Sequence, residues 1–539
     1  MHKQLQALAA PELLPLLGGI RRGIEKESLR ITPDGKLAQT PHPEGLGSAL
    51  THAFITTDYS EALLEFITPV STSIGHSLSM LEDVHSFVYR QLGEEILWCA
   101  SMPCIVAGDA SIPVAQYGSS NVARMKTVYR YGLSHRYGRL MQTIAGIHYN
   151  FSMPQAYWEH CWRAAGSPGT IRDYISERYL GLIRNFRRYS WLLIYLYGAS
   201  PAVCASFVQG RDGHGLQAFD ERGRSLYLPY GTSLRMGDLG YNSSAQKSLN
   251  ICYNSLSNYV ETLREAILQP LPDYGAIPHG QGGDYQQLSD SLLQIENEFY
   301  SPIRPKRVAR TGETPLNALA RAGIEYIEVR CVDVSPFTPV GMDAAQARFL
   351  DTFLLYCLLQ DSPPCDDDER QRQAANLEAV VNRGRQPGLQ LDTGSGHRPL
   401  TQWAEELLGA MRPVTHLLDA AAGDPAAGVP AAGNPATDSA AHTLSLAQQV
   451  AKVADPELTP SARVLREMRE QDLPFFRLAM AYSTRWADHF RRRALAGDVQ
   501  AQFEEECRRS IAAQRDIETS DTLSFEQYLD SFFSQYRAL

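Results

Sequence analysis

The stretch GIEKESLRI, residues 23–31, decides how this chain is read. Ile24, Leu29 and Ile31 suit a strand, yet the same stretch carries Glu25 and Glu27 two positions apart. Side chains alternate along an extended chain, so Glu25 and Glu27 project from one face while Lys26 points the other way. Two like charges at that spacing repel unless water solvates them or a cation sits between them.

The pattern recurs. ITTDYSEALLEFITP (55–69) holds Asp58, Glu61 and Glu65, the last among Leu63, Leu64, Phe66 and Ile67 in an expected half-buried strand. In GIHYNFS (146–152), His148 and Asn150 share a face. In GIEYIEVRCVDV (323–334), Tyr326, Glu328 and Arg330 lie on one side and Ile327 and Val329 on the other. Taken singly, each acid is most simply a solvent-facing group and the histidine a structural hydrogen-bonding residue. Recurrence changes the reading: if these strands share a sheet, a carboxylate-lined surface results, and without counter-charge its acids would partly protonate. Hard divalent cations supply that charge. Carboxylates with an occasional histidine suit Mg²⁺ or Mn²⁺, and Mg²⁺ is typically held by few carboxylates plus water and substrate phosphates, which implies a nucleotide. Arg304, Lys306, Arg307 and Arg310 in YSPIRPKRVARTGE (300–313), with Arg330, are candidates to meet phosphate oxygens; on composition alone that run is a solvated loop.

Composition sets the frame. The chain has 539 residues, 44% hydrophobic and 20% charged, which is enough for two or three globular domains or one elaborated one. A formal net charge of −10 excludes a broad electrostatic footprint for nucleic acid or anionic lipid. Nine scattered cysteines without a C-x-x-C pair read as reduced thiols in a cytosol. Prolines and charges interrupt the early apolar run LLPLLGGI (13–20), so no signal peptide is expected. WLLIYLYG (191–198) is far shorter than the roughly 20 residues of a membrane span. The expectation is a soluble cytoplasmic protein with neither nucleic-acid nor membrane partners.

Strand patterns occupy 20–70, 140–155 and 320–335, and helical spacing marks 76–98 and 171–198, the latter one long helix or a pair. An Ala/Gly/Pro-rich segment at 420–442 has linker composition, separating an α+β core (1–419) from a helical C-terminal region (443–539) packed on it. Gly35-Lys36 lacks the rest of a P-loop, no H-E-x-x-H occurs, and HGQGGD (279–284) reads as a surface turn.

The motifs GIEKESLRI, LGSALTHAFITTDYSEALLEFITPV, MQTIAGIHYNFSMP, LPYGTSLRMGDLGYN, QIENEFYSPIRPKR and GIEYIEVRCVDVSPFTPVG closely resemble the glutamate-cysteine ligase family of the proteobacterial type, densely from about residue 18 to 360. The resemblance implies a curved antiparallel sheet like that of glutamine synthetase and the guanidino kinases, backed by helices. It implies ATP-dependent joining of the glutamate γ-carboxylate to the cysteine amine through γ-glutamyl phosphate, the first step toward glutathione, with Mg²⁺ (or Mn²⁺ in its place) and a lone chain. Carried over by motif, Glu25, Glu27, Asp58, Glu65, His148 and Glu328 would ligate metal. Arg330 would face the transferring phosphate, with Lys306 also on ATP. Asn150 and Arg235 would hold glutamate, and Tyr129, Tyr241 and Tyr300 would line the cysteine pocket. Segment 420–442 looks inserted relative to the family pattern.

Overall fold

The computed structural model describes residues 2–211, 213–240, 249–422 and 440–539. In chain order its strands are β1 (Arg21–Ile31), β2 (Ile55–Thr57), β3 (Leu63–Ile67), β4 (Ile96–Leu97), β5 (Gly146–Ser152), β6 (Ala202–Cys204), β7 (Gln217–Ala218), β8 (Ser225–Tyr227), β9 (Ile303–Lys306), β10 (Tyr326–Asp333), β11 (Gln390–Asp392) and β12 (His397–Pro399). Seven of them form the main sheet in the order β2-β3-β1-β5-β10-β9, with β4 also paired to β1, and every pairing is antiparallel. A smaller sheet runs β6-β8-β7, and β11 and β12 form a hairpin. The result is an α+β architecture of helices around an antiparallel sheet.

Alternation gives the main sheet two different faces. Phe66, Ile147, Tyr149, Phe151, Ile327 and Val329 point to the back, each buried at about 1.5–3 kcal/mol for a large apolar side chain. Helices Ile74–Tyr89 and Ile171–Tyr197 cover that face, and Ala344–Leu359 closes it. Each of the three has a side-chain oxygen at its N-cap, from Ser73, Thr170 and Asp343, accepting from an otherwise orphaned N–H of the first turn. Residues 171–197 are thus one helix. The 76–98 pattern divides: its helix stops at Tyr89, and Ile96–Leu97 pair with β1.

Two departures from the sequence reading have local causes. Ile303–Lys306, taken as a loop on composition, is a strand; with Pro302 before it and Pro305 inside it, it is confined to the sheet edge, where a missing N–H costs no ladder bond. The ends of segment 420–442 are helical, in Leu400–Ala422 and Ala441–Ala454, as their alanines favour, and these helices pack on each other. Residues 423–439 lie outside the described residues. One cluster of buried apolar side chains runs from Leu8 to Tyr536 and includes residues of the C-terminal helices. HGQGGD forms a turn closed by Gly280 N–H donating to Asp284 O at 2.7 Å.

Candidate active site

Register decides which front-face side chains meet. Glu27 stands opposite Glu65 across β1 and β3, and Glu25 opposite His148 across β1 and β5. Glu328 stands opposite Asn150 on β5 and Arg304 on β9, and Tyr326 opposite Lys306. Directly opposed residues share a face, so acids remote in sequence form one front. His148 is its hub: Nδ1 lies 3.1 Å from Glu25 Oε2 and 3.9 Å from Glu328 Oε1, and Nε2 lies 3.6 Å from Glu27 Oε1. One ligand atom each from Glu25, Glu65 and His148 fall within 4.8 Å of one another. Asp58, in the turn between β2 and β3, lines the same cavity.

Counter-charge is unevenly shared across this front. Burial opposes ionisation of Glu328, but Lys306 Nζ at 3.5 Å and Arg330 at 3.1 Å hold its carboxyl well below the ordinary range. Burial likewise opposes the charge on Glu25, yet its hydrogen bond with His148 prevails and lowers it. Asn150 Nδ2 donates to the other oxygen of Glu25 at 2.8 Å. Glu27 and Glu65 go the opposite way: burial first and the Asp58 charge next raise both, and Glu65, also facing Glu25 and Glu27, rises well above the usual carboxylate value. The β3 side of the front is therefore where positive charge is lacking.

A divalent cation fits that deficit. The donors are hard carboxylate oxygens with one imidazole, and the buried His148 Nε2 has no hydrogen-bond partner. Glu25, Glu65 and His148 form the tightest group, with Glu27, Asp58 and Glu328 around it.

Two cavities meet at Glu25. One, of about 330 Å³, is lined by the acids, Tyr129, Tyr300 and Arg330; the other, of about 380 Å³, lies towards Asn150, Ile67, Trp158 and Ile324. In the first, Tyr300 is fixed by a 2.9 Å hydrogen bond from Gln142 Nε2 and by an edge contact with Tyr137 at 5.8 Å. Helix Asn121–Tyr137 forms the facing wall through Met125, Lys126, Tyr129, Arg130 and Leu133. Their i, i+4 spacing carried the signal, but only Tyr129 was singled out from sequence; Lys126 and Arg130 were missed.

Other expected residues are placed elsewhere. Asn150 lines the second cavity. Arg235 has no exposed surface: its guanidinium lies against Gly146, where an added Cβ would come within 2.0 Å of a guanidinium nitrogen, and it donates to Arg330 O at 2.7 Å. As placed, neither lies on the wall of the first cavity. Arg307 pairs with Glu325 and lines the second cavity, and Glu61 accepts from the backbone N–H groups of His42 and Gln116. Tyr241 lies outside the described residues.

An acidic antiparallel face flanked by Lys306 and Arg330, at the junction of two cavities, has the oxygen donors and counter-charges that a divalent cation and a phosphate-bearing ligand would need. Comparison with known proteins narrows the class. The family model described as glutamate-cysteine ligase matches residues 5–380. A glutamate-cysteine ligase of Saccharophagus degradans is 49% identical over 525 residues, 97% of this chain and 96% of that protein. One of Pseudomonas paraeruginosa is 50% identical over 538 residues, covering 100% and 98%. The crystal structure of glutamate-cysteine ligase from Francisella tularensis in complex with AMP superposes with a TM-score of 0.86 at 35% identity, covering 96% of this chain and 98% of that one. A bifunctional glutathione synthetase from Pasteurella multocida shares the fold, with a TM-score of 0.72 at 24% identity over 93% of this chain and 58% of that one. The chain belongs to the glutamate-cysteine ligase family and is a ligase.

Proposed function

We propose that this chain joins the γ-carboxylate of glutamate to the amine of cysteine through γ-glutamyl phosphate, using ATP, as the first step of glutathione synthesis. The observation that carries the reading is the convergence of Glu25, Glu65 and His148 at the point where the two cavities meet. In this reading the sheet is of the glutamine synthetase and guanidino kinase type, residues 1–419 and 443–539 act as core and helical cover, and the enzyme works as a monomer in the cytoplasm. The nine cysteines are all free thiols, in keeping with that compartment.

Oxide is a poor leaving group, so a carboxylate must be phosphorylated before an amine can displace it. The second cavity takes the nucleotide, with its base near Ile67 and Ile324 and its phosphates directed toward Glu25; the first takes glutamate and the acceptor. Glu25, Glu27, Asp58, Glu65, His148 and Glu328 would hold Mg²⁺, or Mn²⁺ in its place, which supplies charge neutralisation and alignment of phosphate oxygens when bound. Lys306 approaches the phosphates from the edge strand. Arg330, kept charged beside Glu328, presents positive charge where it develops in transfer, a contribution of about 3 kcal/mol in comparable oxyanion sites. Tyr129 and Tyr300 bound the acceptor side chain. Such walls discriminate a methylene by only about 1–3 kcal/mol, so 2-aminobutyrate, which carries a methyl group where cysteine has its thiol, should be accepted.

Following ADP release with glutamate and a panel of amino acids tests this. Expected is Mg²⁺-dependent turnover that needs both glutamate and an amine, with cysteine preferred. Preference for another amine would reassign the acceptor, and no turnover with any would overturn the reading.

A further inference from the structure

Joining an amine to an activated carboxylate consumes the amine's lone pair, and an amino acid's ammonium must first lose a proton. The first cavity offers few groups that can take it. In the reading above its six acidic and imidazole groups face cations. Lys306 is engaged with Glu328, and arginines keep their protons. The Tyr59 and Tyr129 phenols, pushed up by burial, keep theirs, and the Tyr300 hydroxyl is taken up by Gln142. Lys126 remains.

Lys126 is half-buried on the inner face of helix Asn121–Tyr137 and lines the same cavity as Tyr129, Tyr300 and Glu65. Its Nζ stands 4.9 Å from the ring centroid of Tyr117, and among the described residues no carboxylate oxygen lies within 4.0 Å of it. The charged groups facing it are Arg130, one turn along its own helix, and Glu65 of β3, with Asp58 on the same cavity wall. Burial and then Arg130 disfavour its charge, Glu65 opposes them, and the ammonium is lowered to about 8.

We propose that Lys126, as its free amine, accepts the proton of the acceptor's ammonium; this rests on the ligase reading. The freed nitrogen lone pair forms a bond to the γ-carbonyl carbon of γ-glutamyl phosphate, the carbon–oxygen bond to phosphate breaks, and phosphate leaves with that electron pair. The second nitrogen proton goes to the departing phosphate, and Lys126 returns its own to water. The charge-keeping Lys126→Arg cannot accept a proton, which separates a base from a mere anion anchor.

Steady-state turnover of the full chain with two acceptors, cysteine and hydroxylamine, is the test. Hydroxylamine is a far weaker base and is largely unprotonated at neutral pH, so it bypasses the need for a base. With cysteine, Lys126→Met and Lys126→Arg should each lose about 10²-fold or more in kcat/KM. Their kcat/KM should keep climbing with pH until the cysteine amine itself titrates, whereas the unaltered enzyme levels off earlier. With hydroxylamine both losses should shrink to within about ten-fold. An arginine variant as active as the unaltered enzyme with cysteine, or equal losses with both acceptors, overturns the role of Lys126. Absence of cysteine-dependent ADP release from the unaltered enzyme instead overturns the ligase reading itself.

Discussion

The two faces of β1 carry charge to opposite ends. On the back, Arg22 Nε meets Asp351 at 2.7 Å and Tyr149 donates to the same carboxylate at 2.8 Å. Arg30 meets Glu95 at 2.8 Å and donates to the carbonyls of Thr40 and Glu61. Lys26 donates to Ser28 Oγ at 2.7 Å and reaches His85 Nε2 at 2.8 Å. The two arginines are answered by carboxylates of the fold; Lys26 meets only neutral partners, and burial lowers its ammonium to about 7. On the front, burial first and the Asp58 charge next drive Glu27 and Glu65 toward protonation, and the positive charge near them does not offset it. Charge in a strand thus says nothing by itself about function. Whether the folded chain balances it separates a structural ion pair from a site prepared for a ligand.

The sharpest break of this contrast is one substitution on each face. Glu65→Gln removes a front carboxylate without changing its shape, and turnover should fall about 10³-fold, roughly 4 kcal/mol. Its thermal midpoint without metal should hold or rise, since a buried charge without counter-charge is gone. Arg22→Met should move stability the other way. It strands Asp351 in the core and should cost about 3 kcal/mol of stability in denaturant melts, and, because Arg22 also borders the second cavity, stability is the readout that sets it against Glu65→Gln. Equal effects of the two on stability would erase the distinction.

Next in size is a metal-linked pH effect. The folded values of Glu27 and Glu65 lie above the ordinary 4.5, so the metal-free folded state holds protons that the unfolded chain has released. The contribution of these two groups to the stability of the metal-free protein should therefore fall as pH rises from 4.5 through those raised values and stay low above them, opposite in sign to that of the lowered Glu25 and Glu328. Mg²⁺ should restore it, by about 2.7 kcal/mol at a hundredfold excess over its Kd, and the gain should shrink in acid, where the carboxyls are protonated. Melting curves with and without Mg²⁺ across pH check this; a pH-independent gain would place the ion elsewhere.

Much of the front face was legible because it needs only the two-residue period of a strand: Glu25 with Glu27, His148 with Asn150, and Glu328 with Arg330. The motif resemblance then tied those segments into one site. What escaped depends on tertiary cover. Pro302 and Pro305 hide an edge strand behind a loop-like composition. Lys126 and Arg130 sit on a helix whose polar residues face a cavity instead of solvent, a difference that periodicity cannot register. Alternation sends Lys26 to the back, but only packing of helix Ile74–Tyr89 shows that the back is dry. Arg235 is behind Gly146 because that residue has no side chain, a contact between segments far apart in sequence.

Asp419 gives the smallest effect, being an acid answered by the fold as the back-face arginines are. Its Oδ1 accepts from His442 N at 2.8 Å and His442 Nδ1 at 2.9 Å, and its Oδ2 from Thr443 N at 3.0 Å and Thr443 Oγ1 at 2.7 Å. It thereby binds the start of helix Ala441–Ala454 to the end of helix Leu400–Ala422. Burial works against its charge, but the hydrogen bonds of His442 and Thr443 prevail and lower it from 3.8. A depressed folded value contributes stability that is present above the unfolded value of 3.8 and is lost as pH falls through the folded one. Asp419→Asn should therefore cost about 1 kcal/mol at neutral pH, the size of a lost helix cap, with the difference closing in strong acid. Turnover should be unchanged, because Asp419 lines neither cavity. A cost that persisted undiminished below that range would mean that the charge on Asp419 contributes nothing and that shape alone joins the two helices.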